Sequence, residues 1–414
     1  MRKKVLLKGP VLSRSGYGEQ ARFALRSLRS REDEFDIFLL NISWGTTGVI
    51  TEKTEEKTWI DFLLQKTRAH VQNGGTFDMS VQVTIPQEFE NIAPHNVGYT
   101  AGAETNAVSL EWIQMINQMS KIITTSEHTK ASFTNSVYTS TNNETGEIVQ
   151  QVAPTVEIEP VNYPVKIIEP EPLDIDFTTN FNFLVVAQWC PRKNLENTIA
   201  WFVEEFRDNS TVGLVVKTNQ VKNSTMDKQY TEARLKGFLD TLGDRKCKVY
   251  LIHGDLTEGE MTTLYNHKKI KALVTLAHGE GYGLPVFEAA YNGLPVIATD
   301  WSGYLDFLSV PTKKGKLVKK FTPVKYTLGK IQPESVYPGV LIPESAWAYA
   351  DKNSFRKGLN EFVTDYSKKK RMATALKKHV LENWSEEKMY DKFLNSLGVE
   401  LGGTTEDQEV VVFD

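Results

Sequence analysis

The chain has few of the features that mark the commonest specialised classes of protein. It contains only two cysteines, Cys190 and Cys247, too far apart for a disulfide framework or a thiolate metal site. No apolar run reaches the length of a transmembrane helix, the apolar stretch at the start is too short for a signal peptide, and no motif repeats at a fixed spacing. The net charge of −4 gives no overall attraction to nucleic acid or membranes. We therefore expect a cytoplasmic globular protein with reduced thiols.

A chain of 414 residues is too long for one core of ordinary size, which predicts two domains. In the first half, expected helices alternate with expected strands at 4–7, 35–41, 79–85, 96–100 and 121–125. Such alternation is typical of a parallel, doubly wound sheet, whose ligand crevice lies at the carboxyl ends of the strands. The proline-punctuated segment 156–172 is the expected linker, so we place the domains at 1–165 and 166–384. The last fifteen residues hold five acids and no base, which predicts an acidic tail at 401–414.

The rest of the chain is organised around residues 277–303, AHGEGYGLPVFEAAYNGLPVIATDWSG. An apolar strand is expected just before them, and a flexible turn follows in which the backbone can approach a ligand closely, with Gly279, Gly281 and Gly283. Pro285 is compatible with the first turn of a helix, and Gly293 ends that helix before the next strand. The start of such a helix presents unpaired N–H groups and a partial positive charge, so it suits a phosphate group.

Two glutamates belong to this unit, with seven residues between them. Glu280 is on the turn and Glu288 is inside the helix, so one carboxylate can reach each side of a ligand that lies over the helix start. Both would accept hydrogen bonds from sugar hydroxyl groups. The plainer interpretation is an ordinary strand–turn–helix unit with two solvated glutamates, and the glycine turn alone does not decide between the two.

This stretch resembles the E-x7-E signature of retaining nucleotide-sugar glycosyltransferases of the family 4 type, through Glu280-Gly281-Tyr282-Gly283-Leu284-Pro285, Glu288 and the GLPVIA at 293–298. The resemblance implies an α/β fold of two Rossmann-like doubly wound domains that face each other across a cleft (GT-B type). It also implies that Glu280 contacts the donor sugar and that Glu288 holds the donor ribose. The diphosphate would be held by the amides around Gly281, Tyr282, Gly283 and Leu284. In similar folds a final helix, here at about 385–400, packs back onto the first domain.

The second domain is expected to open with a strand at 183–187 and the loop QWCPRKN. Members of the family have an arginine just after this strand and a lysine before the next helix, and both grip the diphosphate. Lys193 matches the lysine, whereas Gln188 stands at the arginine position, so Arg192 is our candidate for the missing charge. The alternative is a helix start with incidental basic residues. The resemblance also places the loop that begins with His253 and Gly254 against the nucleotide base.

The first domain has its own candidates at the expected crevice. Gly16 and Gly18 lie in a turn after the first strand, where related enzymes have a loop that faces the donor phosphate and the acceptor. A purely structural turn is the alternative. Glu104 follows a strand and is our candidate for contact with the acceptor, while His95, before that strand, is a weaker one. His128 is expected at a helix start, without a catalytic role.

The resemblance implies transfer of a hexosyl or pentosyl group from a UDP- or GDP-sugar to an acceptor hydroxyl, with retention of configuration. Helix amides with Lys193 and Arg192 can stabilise the leaving diphosphate, so we expect no metal ion and no cofactor besides the donor substrate. Asp174 and Asp176 are expected in a solvated loop. Two alternatives stay open: an inactive sugar-nucleotide-binding relative, which Gln188 favours, and an epimerase or phosphorylase of the same architecture.

The sequence does not decide the acceptor or the oligomeric state. Residues 1–31 hold nine Lys or Arg and one acid, which suits an anionic acceptor, either DNA with a hydroxymethylated base or a lipid-linked glycan. A solvated helix face explains these cations equally well, and other glycans stay possible acceptors. The lysines at 313–320 are expected in a solvated loop. Residues 321–347 are expected to be irregular, as a lid or an interdomain brace.

Overall fold

The computed structural model describes residues 2–141 and 148–400, so the predicted tail at 401–414 lies outside the described residues. Two sheets of six parallel strands form the framework, one in each half of the chain. Helices connect most of the successive strands. The predicted α/β class with two doubly wound domains is confirmed.

The first sheet and its surroundings are built from residues up to 160. The strands are β1 (Lys3–Gly9), β2 (Phe35–Asn41), β3 (Met79–Val83), β4 (His95–Thr100), β5 (Lys121–Thr124), β6 (Tyr138–Thr141), β7 (Ile148–Val152) and β8 (Ile158–Pro160). The helices are α1 (Gly16–Arg29), α2 (Glu55–Gln72), α3 (Leu110–Ile116) and α4 (Glu127–Thr134). The sheet order is β2-β1-β3-β4-β5-β8, while β6 and β7 form a separate antiparallel pair. The direction of winding changes between β1 and β3, where a ligand crevice is expected.

The second sheet is built from residues 181–324. Its strands are β9 (Phe181–Val186), β10 (Val212–Lys217), β11 (Lys248–Ile252), β12 (Ile270–Thr275) and β13 (Val296–Thr299), with β14 (Ser309–Pro311), β15 (Leu317–Lys319) and β16 (Thr322–Val324) following. The helices between them are α5 (Leu195–Phe206), α6 (Thr225–Thr241), α7 (Glu258–Asn266) and α8 (Leu284–Asn292). The sheet order is β11-β10-β9-β12-β13-β16, and β14 pairs with β15 outside it. Winding changes direction between β9 and β12, so the loops after these two strands border the expected crevice.

The segment that was expected to be irregular contains regular structure. Strands β17 (Tyr326–Lys330) and β18 (Ala346–Ala350) pair antiparallel. Between them the chain reaches the first domain: the Ser109 hydroxyl donates to the Gly339 carbonyl oxygen at 2.8 Å, and the Asn106 amide N–H donates to the Ala346 carbonyl oxygen at 3.2 Å. This segment therefore connects the two domains as a brace.

Three further helices, α9 (Lys352–Thr364), α10 (Tyr366–Asn383) and α11 (Glu386–Asn395), complete the chain. Helix α11 leaves the second domain and packs on α1, because Phe393 belongs to the buried core of the first sheet. Its ring lies 5.5 Å from those of Phe23 and Tyr99. None of the helices in the described part of the chain is both long enough and apolar enough to cross a membrane.

The basic residues of the first 31 positions do not form a free cationic surface. Seven of the nine pair with carboxylates, which belong mostly to other elements: Arg2–Asp36, Lys8–Glu90, Arg14–Glu52, Arg22–Glu19, Arg26–Glu56, Arg29–Glu55 and Arg31–Glu34. The acids of α2 and the loops supply the negative charge that the local sequence lacks. The number of cations in this segment therefore does not by itself indicate an anionic acceptor, and the identity of the acceptor stays a prediction.

Candidate functional site

The two loops that border the crevice of the second sheet meet at its switch point. The His278 amide N–H donates to the Arg192 carbonyl oxygen at 2.8 Å, which ties the loop after β12 to the loop after β9. The Glu280 carboxylate pairs with Lys193 and, at 3.0 Å, with Nη1 of Arg192. Nη2 of Arg192 lies 3.2 Å from Oε1 of Glu104, which belongs to the first domain. Four predicted site residues from both domains thus form one charge network.

Glu280 is largely shielded from water, with 12% of its side chain exposed. Burial alone would raise its pKa, but Lys193 and Arg192 lower the pKa below its usual value. The Glu280 carboxylate therefore holds both Lys193 and Arg192 in the crevice, and Glu104 also pairs with Arg192. An incoming anion of higher charge can compete with Glu280 for both cations.

The start of α8 presents a run of unpartnered backbone donors. In the described structure the amides of Gly281, Tyr282, Gly283 and Leu284 have no hydrogen-bond acceptor, and the first three residues are buried. Gly283 has a φ of 88°, which turns the chain into the helix. The first N–H groups of a helix have no acceptor within the helix itself. Adjacent donors at the positive end of a helix dipole form a cradle for an anion.

The turn is clamped by a residue that the sequence reasoning missed. Ser302 has a φ of 110°, a strained value for a side chain other than glycine. Its hydroxyl accepts from the Glu280 amide N–H at 2.5 Å and donates to the Glu280 carbonyl oxygen at 2.6 Å. The Gly303 amide adds a bond to the same carbonyl oxygen at 3.0 Å. No sequence motif signals this contact, since it joins loops after two different strands.

Gly279 and Gly281 were predicted to let the backbone approach a ligand, and in the structure both also allow the first domain to pack closely against the turn. A Cβ on Gly279 would lie 1.9 Å from the carbonyl oxygen of Glu104, and one on Gly281 would lie 2.7 Å from that of Ala101. The Gly281 carbonyl oxygen also accepts a hydrogen bond from the Ser126 hydroxyl at 2.5 Å. The glycine turn therefore makes a close contact with the first domain, and its amides at residues 281–283 have no acceptor within the described residues.

Glu288 lies one turn into α8, where the Tyr265 hydroxyl donates to its carboxyl group at 2.6 Å. Burial raises its pKa to about 7. Lys217, which ends β10, is a neighbouring cation that the sequence reasoning missed; its Nζ donates to the Gly254 carbonyl oxygen at 3.2 Å. A lysine at the carboxyl end of a buried strand was the signal that could have revealed it.

In the loop that was predicted to lie against the nucleotide base, His253 is hydrogen-bonded to Asp227 of α6. Nε2 of His253 lies 2.8 Å from the Asp227 carboxylate, which also accepts from the amides of Gln220 and Val221 at 3.1 and 3.0 Å. This carboxylate fixes the imidazole ring at the carboxyl end of β11. Gly254 follows with a φ of 120°, a value that favours glycine.

The glycine turn of the first domain begins α1. The Ser15 hydroxyl caps this helix by accepting from the Gly18 amide at 3.0 Å. The Tyr17 ring lies 4.1 Å from that of Trp44, and its hydroxyl lies 3.0 Å from that of Thr100 at the end of β4. A Cβ on Gly18 would collide with the Ser13 carbonyl oxygen at 1.9 Å, whereas one on Gly16 would meet nothing within 4 Å. Gly18 is thus required by packing, and Gly16 borders open space.

Several other residues lie outside this network. Gln188 donates to the Gln220 carbonyl oxygen at 2.8 Å, and the exposed Asp176 pairs with Lys269 at 2.6 Å. His95 is at the amino end of β4, opposite the crevice, with Nε2 2.7 Å from the Leu397 carbonyl oxygen. His128 is at the start of α4, its ring 4.5 Å from that of Trp301, and burial lowers its pKa to about 4.

No family model matches the chain, and no curated protein matches its sequence. Solved structures nevertheless resemble it along nearly its whole length. Sucrose-phosphate synthase from Thermosynechococcus elongatus superimposes with a TM-score of 0.60 at 13% identity, over 95% of this chain and 98% of that one. Anabaena HepE in complex with UDP and glucose has a TM-score of 0.62 at 12% identity, over 96% and 99%. A glycosyltransferase from Rickettsia africae has a TM-score of 0.58 at 12% identity, over 96% and 98%.

The fold is GT-B. Its two Rossmann-like domains meet where the charge network of Glu280, Arg192, Lys193 and Glu104 lies. The identities of 12 and 13% establish the GT-B architecture, and the arrangement of the site is drawn from this chain's own residues.

Proposed function

We propose that the protein is a retaining glycosyltransferase that moves a sugar from a UDP- or GDP-sugar to an acceptor hydroxyl without a metal ion. The observation that carries the proposal is the anion cradle at the start of α8, with unpartnered amides at residues 281–284 beside Lys193 and Arg192. A diphosphate fits these donors in both charge and hydrogen-bonding capacity. The GT-B structure of HepE with UDP and glucose supports a nucleotide-sugar ligand.

In the proposed reaction the bond between the anomeric carbon and the diphosphate oxygen breaks as charge develops on the diphosphate. Fixed donors and cations stabilise that charge without reorganising, which is the largest contribution expected from such a site. Lys193 and Arg192 supply the positive charge that a metal would otherwise provide. Electrostatic stabilisation of the leaving group is therefore the main chemical role of the crevice.

Retention is proposed to occur by attack on the face that the diphosphate leaves. A double displacement needs a carboxylate nucleophile beside the anomeric carbon, with its partner carboxyl about 5 Å away. Glu280 is instead bound by two cations, which makes it a poor nucleophile. The acceptor oxygen bonds to the anomeric carbon, and its proton passes to the departing phosphate oxygen.

The test is release of nucleoside diphosphate from UDP- and GDP-sugars in the presence of EDTA, with glycans and with hydroxymethylcytosine-containing DNA as acceptors. We expect release that requires an acceptor, together with an α-configured product from an α-configured donor. Donor binding without release for any acceptor would favour the inactive binding relative. Release of free sugar phosphate, or epimerised donor, would favour a phosphorylase or an epimerase.

The raised pKa of Glu288 predicts that donor affinity depends on pH. The proposed ribose contact needs the carboxylate as acceptor, but below about pH 7 this buried group holds a proton. Binding favours the ionised form, so the Kd for UDP-glucose should fall as the pH rises from 6 to 8 and then level off. UDP-glucose is the suitable probe because its phosphates do not titrate in this range. Calorimetric titration measures the Kd, and the Glu288→Gln variant is the control. This variant should bind UDP-glucose weakly at every pH. If its Kd still changes with pH as in the unchanged protein, Glu288 is not the group that titrates.

Gly16→Ala and Gly18→Ala form a matched pair of variants. The Cβ at residue 16 has free space, whereas the one at residue 18 collides with backbone. We expect Gly18→Ala to lower the melting temperature and Gly16→Ala to leave it unchanged. If the turn approaches the donor phosphate or the acceptor, Gly16→Ala should still reduce transfer. Full transfer by a stable Gly16→Ala variant would show that the turn is purely structural.

A further inference from the structure

One surface of the second domain carries lysines of which most make no ion pair within the described residues. Residues 309–330 contain seven lysines and no Asp or Glu. We define the lysine hairpin as residues 309–320, which comprise β14, β15 and the turn between them. Every residue from 311 to 319 is exposed. Lys319 pairs with Asp300, whereas no ion pair within the described part of the chain involves Lys313, Lys314, Lys316 or Lys320.

Helix α10 extends this cationic surface. It packs against β14 and buries Ala373, Leu376 and Val380, so its opposite face lies toward solvent. The helix contains six basic residues and the single acid Glu382; Lys369 pairs with Glu361 and Lys378 pairs with Glu382, while Lys368, Lys370 and Arg371 are exposed and make no ion pair within the described residues. The whole chain has a net charge of −4, so the positive charge is concentrated locally. Such a patch attracts anionic surfaces within about 10 Å, a distance set by salt screening.

The hairpin also exposes apolar side chains among its lysines. Leu317 is 67% exposed and Val318 is 36% exposed, next to Lys316 and Lys319. Segment 309–320 contains no arginine for bidentate phosphate contacts and no aromatic residue for stacking on bases. Lysines that flank an exposed leucine match the chemistry of a bilayer interface, where headgroups are anionic and the acyl boundary is apolar.

We propose that the lysine hairpin docks this protein on the surface of an anionic phospholipid bilayer. Lys319 of the hairpin pairs with Asp300. Ser302, two residues further along the chain, holds Glu280, so the hairpin contacts the loop that borders the crevice. The proposed docking rests on charge and exposure and does not require the proposed transfer reaction.

The test is sedimentation of the full chain with vesicles of phosphatidylcholine alone and with an equimolar mixture of phosphatidylcholine and phosphatidylglycerol. We expect binding to the mixture only, and weaker binding at higher salt. Lysines near such a surface contribute about fivefold each, so replacing Lys313, Lys314 and Lys316 with Gln should weaken binding roughly 100-fold. A matched variant with Gln at the exposed Lys222, Lys228 and Lys236 should bind as the unchanged protein does.

The variant Leu317→Ser separates a bilayer from a soluble polyanion. It keeps every charge, so it should bind duplex DNA or heparin no differently, while its binding to the mixed vesicles should fall about fivefold. Equal sedimentation with both kinds of vesicle would overturn the proposal. Wild-type vesicle binding by Leu317→Ser would also overturn it and indicate a surface for soluble polyanions. Circular dichroism establishes that each variant is folded, and vesicle binding is measured without any sugar donor, so failure of the transfer proposal leaves this result intact.

Discussion

Replacing Glu280 with Gln is expected to lower kcat roughly 100- to 1,000-fold and, at the same time, to tighten the binding of UDP. The loss of turnover follows from the proposed contact with the donor sugar. The gain in affinity follows from the ion pairs, because Lys193 and Arg192 would no longer be held by a carboxylate. A charged hydrogen bond is worth about 1.5–3 kcal/mol, so the Kd for UDP should fall by about tenfold or more.

The competition between Glu280 and UDP for the two cations should also be visible in the thermal stability of the Glu280→Gln variant. Without UDP, Arg192 keeps its ion pair with Glu104, but Lys193 has no carboxylate partner left among the described residues, so the melting temperature should fall. Saturating UDP should then raise it by more than it raises that of the unchanged protein. Glu104→Gln is the matched control. Within the described residues Glu104 pairs with Arg192 alone, so its replacement should give a smaller gain in affinity. An E280Q protein that binds UDP no more tightly than wild type would contradict the competition.

Replacing Lys193 with Met is expected to reduce kcat/KM by roughly 100- to 1,000-fold, mostly through kcat. The charge that Lys193 opposes grows as the diphosphate leaves, so its loss weakens the transition state more than the bound donor. Steady-state kinetics with varied donor concentration separates the two parameters. The fold should persist, because Glu280 keeps its ion pair with Arg192.

Lys236→Met provides the control for this substitution. Lys236 is exposed on α6 and makes no ion pair within the described residues, so its replacement should leave both kinetic parameters unchanged. A Lys193→Met enzyme with near-normal kcat would remove Lys193 from the site. Loss of activity through KM alone would indicate a role in donor binding without one in bond cleavage.

The central unit of the site was predictable because it is local in sequence. An apolar strand, a glycine turn, Pro285 and Gly293 together specify strand, turn and helix within 30 residues, and α8 begins and ends where these residues indicate. The family resemblance identified Glu280 and Lys193 as candidate site residues, but it did not predict that they pair with each other. Contacts between distant segments could not be predicted, because nothing near Ser302 in the sequence indicates that its hydroxyl group binds Glu280.

The local charge count of residues 1–31 was misleading for the same reason, because most partners of its cations lie elsewhere in the chain. Counting charges within residues 1–31 gave an unbalanced basic segment, but Glu55 and Glu56 of α2 neutralise Arg29 and Arg26 from a distance of more than 25 residues. Helix α6 was missed for a different reason. Its buried positions include Asp227 and Thr231 beside Leu235 and Leu239, so it has no continuous apolar stripe of helical period.

Calorimetric titration of the full chain with UDP and with GDP, repeated on Lys193→Met, tests directly whether the start of α8 binds a diphosphate. We expect saturable binding of at least one nucleotide at one site in EDTA, with an affinity that drops sharply in the variant. We also expect inorganic phosphate to compete weakly for the same cradle. No binding of either nucleotide, or binding that is unaffected by the loss of Lys193, would contradict the assignment of the α8 start as a diphosphate site.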